Sequence, residues 1–264
     1  MLEIPFSTNV ILIAAIIAQG IFASVLLLLQ RNNSNSNKYL GLLLLTFSLW
    51  LLDDFFEAAT IYQQDPNYYF LPIYFSFGFG PLIYFYTRSI TDVNFKLRKR
   101  HLVHFIPVAI QGIGYVFLQC KDYNFRRTFW QEVHLPYTYN LEFIGSLVSL
   151  IIYLCLSIIV VKKYQKWINN QFSEISKINL NWLKIILGII SVISFLWIVD
   201  TFLRLVQEYY PMHEFSAISM GISILLLAGG SLLQSNLGHA GFEESNSNKI
   251  SLDKEIEIDK QLLE

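Results

Sequence analysis

Phe77-Gly-Phe-Gly-Pro-Leu-Ile-Tyr-Phe-Tyr-Thr-Arg88 settles what kind of protein this chain makes. Eleven of its twelve residues carry no charge, five are aromatic, and it ends on an arginine. That is the pattern of the inner half of a membrane helix running into the cytoplasm. In water Gly78, Gly80 and Pro81 near its start would end a helix, because glycine costs backbone entropy and proline lacks an N–H. Inside a bilayer neighbouring helices re-satisfy the freed backbone groups. The stretch therefore reads as a bent third span, with Gly78, Gly80 and Pro81 as hinge or packing points.

The rest of the chain has the matching composition. Its 264 residues are 54% hydrophobic and 15% charged, with a mean hydropathy of +0.44, whereas a water-soluble domain carries about 25% charge. The formal net charge of -1 provides no global attraction to nucleic acid. Cys120 and Cys155 fall at different depths of separate apolar segments and are expected as free thiols. Without CxxC or Cys/His spacing, neither a metal nor a cofactor is expected. The start has no basic region, and the apolar run after it has its positive charge downstream, so it reads as a retained first helix and not a cleaved signal peptide.

Outward from residues 77–88, seven apolar segments mark themselves at approximately 9–30, 39–61, 68–88, 102–119, 141–161, 184–205 and 216–234. Each is near the ~20 residues that cross ~30 Å of hydrocarbon. With the N-terminus outside, the inner connections hold twelve Lys and Arg and the outer ones four, so the positive-inside rule favours N-out and C-in. The expected architecture is all-α: a seven-helix transmembrane bundle over residues 1–234, then an acidic cytoplasmic linker and the start of a helix over 235–264. Residues 120–140 are rich in aromatics, either as an interfacial belt or as a lid over an outer cavity. Residues 162–184 place Tyr164, Ile168, Phe172, Ile175, Ile178 and Trp182 at helical spacing between basic residues, an amphipathic helix that lies on the headgroups or extends spans five and six, with surface anchoring favoured over partner binding. In the tail, Leu252, Ile256 and Leu263 recur near heptad spacing, which makes a homodimer through the tail an expectation.

Charge inside a membrane is costly, so each embedded ionisable residue is a functional candidate. Asp53, Asp54 and Glu57 lie in the outer third of span two, and Asp200 and Arg204 at a similar depth in span six. Asp53 and Glu57 are four residues apart on one helical face, which demands a cation or a retained proton; Arg204 is the best-placed partner. With Gln111 and the outer-end residues Gln119, Glu142, Glu208, His213 and Glu214, these side chains compose an acidic, aromatic-lined cavity open to the outside. The other reading is plain: the span-two carboxylates approach the headgroups, and Asp200 with Arg204 closes the bundle. His101 and His104 flank one end of span four, and His134 reads as a structural histidine. Ala14 and Ala18, Gly145 and Ser149, and Ala217 and Gly221 are spaced for close helix packing.

Three stretches carry a family likeness: Ala18-Gln-Gly-Ile-Phe22 with its leucine run, residues 37–44, and Phe79-Gly-Pro-Leu-Ile-Tyr-Phe-Tyr-Thr-Arg-Ser89 followed by His104-Phe-Ile-Pro107. Over most of residues 9–260 the chain resembles the seven-span membrane domain at the N-terminus of bacterial AraC-type transcriptional regulators. The resemblance implies a multi-pass protein of the bacterial inner (plasma) membrane that senses a small-molecule, lipid or envelope signal and passes it to a cytoplasmic output. The likeness carries no ligand-binding residues over. The chain reaches Glu264 where the family's linker would continue and holds no recognition helix, so DNA enters only if a module follows Glu264. The alternative from another class is a small proton- or cation-coupled transporter or channel using the outer carboxylates. An enzyme is not expected, because no nucleophile, paired acid–base or metal set shares one depth.

Overall fold

A computed structural model describes residues 5, 7–30, 35–92, 95–171, 181–206 and 217–230, without the side chains of residues 168–171 and 204–206. The described chain is helical and holds no strand. Helix α1 is Thr8–Leu29, α2 Asn35–Ala58, α3 Ile61–Gln64, α4 Phe79–Thr91, α5 Ile106–Gln119, α6 Tyr123–Phe129, α7 Tyr139–Gln171 and α8 Asn181–Val206. Helix α9 is Ala217–Gly230. The expected tail helix, its dimer seam and the residues of 172–180 lie outside the described residues.

Five helices are long and apolar enough to cross a membrane: Thr8–Leu29, Asn35–Ala58, Lys99–Gln119, Tyr123–Trp167 and Asn181–Leu203. Their outward faces are hydrocarbon. Ile11 and Phe22 on α1, Ile110 and Ile113 on α5, and Phe195 and Phe202 on α8 are each more than half exposed. Water would penalise such faces, whereas lipid does not. The protein is membrane-embedded.

The bundle is ordered α1, α2, α4, α7, α8 by mutual packing. At its centre Trp197 of α8, fully buried, meets Trp50 at 6.0 Å, Phe79 at 6.3 Å and Phe143 at 5.0 Å, bringing α2, α4 and α7 together on one ring. Small residues set the tightest contacts. The Ser24 hydroxyl donates to the Gly41 carbonyl at 2.7 Å, and a Cβ on Gly20 would collide with Ser48 and Ile224. Ala14 and Ala18 instead face outward, so the close approach of α1 runs through Gly20.

The third apolar segment departs from the expected continuous span. Only Phe79–Thr91 is α-helical; a short 3-10 turn, Ser76–Gly78, precedes it, and residues 69–75 are non-helical, with Phe70 left-handed at φ 59°. Gly78, Gly80 and Pro81 therefore lie at a helix start and not within a bent helix. The reason is local. Pro81 falls in the first turn, where its missing N–H leaves nothing unbonded, so proline begins this helix rather than kinking it. Gly80 serves packing: a Cβ there would lie 2.6 Å from Tyr153 Cδ2 and 3.0 Å from the Ser149 carbonyl oxygen of α7.

Helix α2 runs antiparallel to α4, since Phe47 meets Phe79 at 4.8 Å and Tyr39 meets Phe85 at 5.9 Å. At about 1.5 Å per residue, Asp53 lies roughly 27 Å along α2 from Asn35. The Asp53 end and the Arg88 end are thus opposite ends of the bundle. Helix α7 runs from Tyr139 beside Tyr74, past Tyr153 beside His104, and on to Gln171. Its 33 residues extend about 50 Å, well beyond ~30 Å of hydrocarbon. The basic segment after residue 161 thus begins as a direct continuation of span five, with Lys162, Lys163 and Lys166 exposed on it.

Candidate functional site

At the Asp53 end the irregular backbone of residues 69–75 faces a cavity. That is the setting in which non-helical chain is tolerated at membrane depth. Asp53 of α2, Tyr62 of α3, Phe70, Leu71 and Tyr74 of the irregular stretch, Tyr115 of α5, Trp130 and His134, and Tyr139 of α7 form its wall. Its space is about 260 Å³ including the opening, while the interior clear of side chains suits a single water-sized group.

Each side chain arrives there for a local reason. Thr60 turns left-handed at φ 57°, ends α2 and swings α3 back so that the Tyr62 hydroxyl donates a short hydrogen bond to Asp53 Oδ1. Burial, with the Asp53 charge beside it, pushes the Tyr62 hydroxyl well above the ordinary tyrosine range, so it keeps its proton and remains the donor. Trp130 and His134 reach the wall because the backbone between α6 and α7 is a π-helix, Trp130–Thr138, containing Pro136. Such wide turns re-aim side chains and cluster at functional sites. The Trp130 ring stacks on Tyr69 at 4.5 Å and lies 5.2 Å from Tyr62 and 5.1 Å from Phe70. His134 is buried, its Nδ1 2.8 Å from the Thr138 hydroxyl.

A polar chain backs this wall. Glu142 Oε2 accepts from the Tyr115 hydroxyl at 2.7 Å and from Gln111 Nε2 at 2.9 Å. Gln111 Nε2 also lies 3.4 Å from the Ser76 hydroxyl, which is 2.6 Å from that of Ser146. The Tyr74 hydroxyl is buried beside the Trp50 indole N–H, and Gln111 Oε1 is buried without a donor. Asp53 lies within electrostatic reach of Glu57 and Glu142, so the described charges acting on it are negative. Above, Arg126 holds the loop after α3, donating to the Asn67 carbonyl at 3.2 Å and to Asn67 Oδ1 at 2.7 Å. Within residues 120–140, Tyr123, Phe125 and Tyr137 are exposed, whereas Trp130 and His134 line the cavity.

The expected site residues separate. Asp53 lines the cavity, and Gln111 stands two hydrogen bonds behind its wall, through Glu142 and Tyr115. Asp54 and Glu57 share α2 but do not line it, and Glu57 is exposed. Asp200 is buried in α8 and does not line the cavity. The Arg204 side chain, and with it the expected pairing, lies outside the described residues; the partner seen for Asp53 is Tyr62. Sequence reasoning took His134 as a structural or solvated histidine and passed over Tyr62, Tyr74 and Tyr115. One signal pointed to them: a carboxylate held within apolar surroundings requires donors, and tyrosines supply them without adding charge.

Among the described residues no three His, Cys, Asp or Glu side chains are grouped to hold a metal ion. No protein-family model, curated protein or solved structure matches the chain.

Proposed function

We propose that this chain is a membrane-embedded sensory unit of seven spans, N-out and C-in, in which the Asp53 cavity receives a signal from outside and α7 passes it to the cytoplasmic side. The observation that carries the reading is continuity of backbone. Trp130, His134 and Tyr139 of the cavity wall belong to one unbroken helical run from Tyr123 that continues as α7 to Gln171. A ligand that prefers one arrangement of the π-helix therefore biases the far end of a rod about 50 Å long. The resemblance to AraC-type membrane regulators gives that output its direction: a bacterial inner membrane, a cytoplasmic relay and a transcriptional consequence.

Two measurements test this. In cells carrying chromosomal Asp53→Asn, with the protein at its normal level in the membrane, the expected result is a changed set of transcripts. An unchanged transcript profile overturns the reading. In sealed vesicles containing the purified full chain, no proton or cation flux is expected; sustained flux lost in Asp53→Asn would establish a transporter instead.

A further inference from the structure

We propose that the cavity beside Asp53 binds the ammonium head of a primary amine, either a small free amine or an ethanolamine lipid headgroup. This rests on the sensory reading of the same cavity, and binding and transmission are read out separately below.

Charge provides the first argument. Asp53 lines the space, Glu142 stands behind Tyr115, and the described charges acting on Asp53 are negative. Half-buried carboxylates in such a setting either keep a proton or take up a positive charge. Ring faces provide the second. Tyr62, Phe70, Tyr74, Tyr115, Trp130 and Tyr139 enclose the space, and an enclosure of aromatic rings attracts a desolvated cation through their negative faces. Among the described residues no lysine or arginine lies over these rings; the cation–π contacts described are Arg88 over Phe95 and Lys121 over Phe117. The third argument is the Tyr74 hydroxyl, 2% exposed beside the Trp50 indole N–H, whose oxygen has a second lone pair to accept from another N–H.

Size and donor set choose among cations. A water-sized interior fits an ammonium head with its carbon chain in the opening, but not a quaternary ammonium with four carbon substituents. A divalent metal requires more oxygen ligands than one wall carboxylate and phenol hydroxyls provide, and no described cluster supplies them. An ammonium head carries N–H donors for Asp53 and Tyr74 and turns its remaining surface to the rings. Both sources, the free amine and the lipid headgroup, present this same group.

The test uses the full chain in nanodiscs of phosphatidylcholine, which has no primary amine, titrated with methylammonium chloride against sodium chloride and tetramethylammonium chloride at equal ionic strength. The expected result is a saturable rise in Tm with methylammonium alone, absent in Asp53→Asn. In Tyr74→Phe, which removes one hydrogen bond to a charged group, the affinity is expected to fall about tenfold. Should Asp53→Asn fail to fold, Tyr74→Phe carries the test by itself. No saturable response, an equal response to sodium or tetramethylammonium, or an unaltered affinity in Tyr74→Phe overturns the proposal. Phosphatidylethanolamine in the disc that abolishes the methylammonium response identifies the headgroup as the source; a persisting response identifies the free amine. Hydrogen exchange over the last turns of α7 is followed in the same samples. Binding without a change there overturns the sensory reading and leaves the amine site standing.

Discussion

The two ends of the bundle are built from the same kinds of residue and finish in opposite states. At the Arg88 end, Phe85 lies 5.9 Å from Phe95 and 5.6 Å from Phe105, both nearly parallel, and Phe95 stacks on His101 at 5.5 Å. Arg88 already sits over Phe95 at 5.5 Å, and His104 meets the Tyr153 hydroxyl at 2.7 Å. Rings, cation and polar partners are all supplied from within the chain. At the Asp53 end the rings enclose a space, and among the described residues a carboxylate rather than an arginine stands in its wall. Aromatic content alone does not make a site. A site appears where the ring faces and acceptors outnumber the donors and cations that the chain brings to them.

That contrast can be broken most forcefully in the middle. Trp197 joins α2, α4 and α7, so Trp197→Ala should cost about 3–5 kcal/mol and loosen both ends together. Thermal unfolding of the detergent-solubilised protein, with hydrogen exchange at each end, checks it; protection lost at one end alone would mean the two regions are held independently. Paired tyrosine changes sharpen the comparison. Tyr115→Phe removes a hydrogen bond to a carboxylate and should cost about 1.5–3 kcal/mol, whereas Tyr153→Phe removes one to the His104 ring and should cost about 0.5–1.5 kcal/mol. Equal losses in Tm would show that Glu142 is not held as a charged acceptor. The smallest effect is expected at Arg88, whose ion pair with Asp92 at 3.7 Å is half exposed. Arg88→Gln should shift stability by no more than about 1 kcal/mol, and a larger drop in Tm would mean the cation is integral to its ring stack.

Much of the fold was legible because lipid imposes a simple rule on sequence. Apolar runs near 20 residues predicted helices, and at Thr8–Leu29, Asn35–Ala58 and Asn181–Val206 helix ends fall close to the predicted limits. The third segment was misjudged because hydropathy measures what lipid accepts and is blind to backbone geometry. Residues 68–78 are as apolar as a span, yet Phe70 is left-handed there and the helix waits for the first-turn Pro81. The candidate site was legible only in part. Asp53 announced itself as a charge in an apolar run, and Gln111 as a polar residue beside it. Asp200 carried the same signal yet does not line the cavity, because depth along a helix says nothing of the face a residue occupies in the bundle.

By itself, then, the sequence determined a helical membrane protein, the positions of most helices and the presence of a costly carboxylate at Asp53. Burial in lipid is a property of composition and length, and both are written locally. Tertiary structure decided that Tyr62 donates to Asp53, that Glu142 is held by Gln111 and Tyr115, and that a π-helix turns Trp130 and His134 into the wall. Those choices depend on which faces of distant helices meet. Side-chain packing across the bundle sets them, and no periodicity along the chain encodes it.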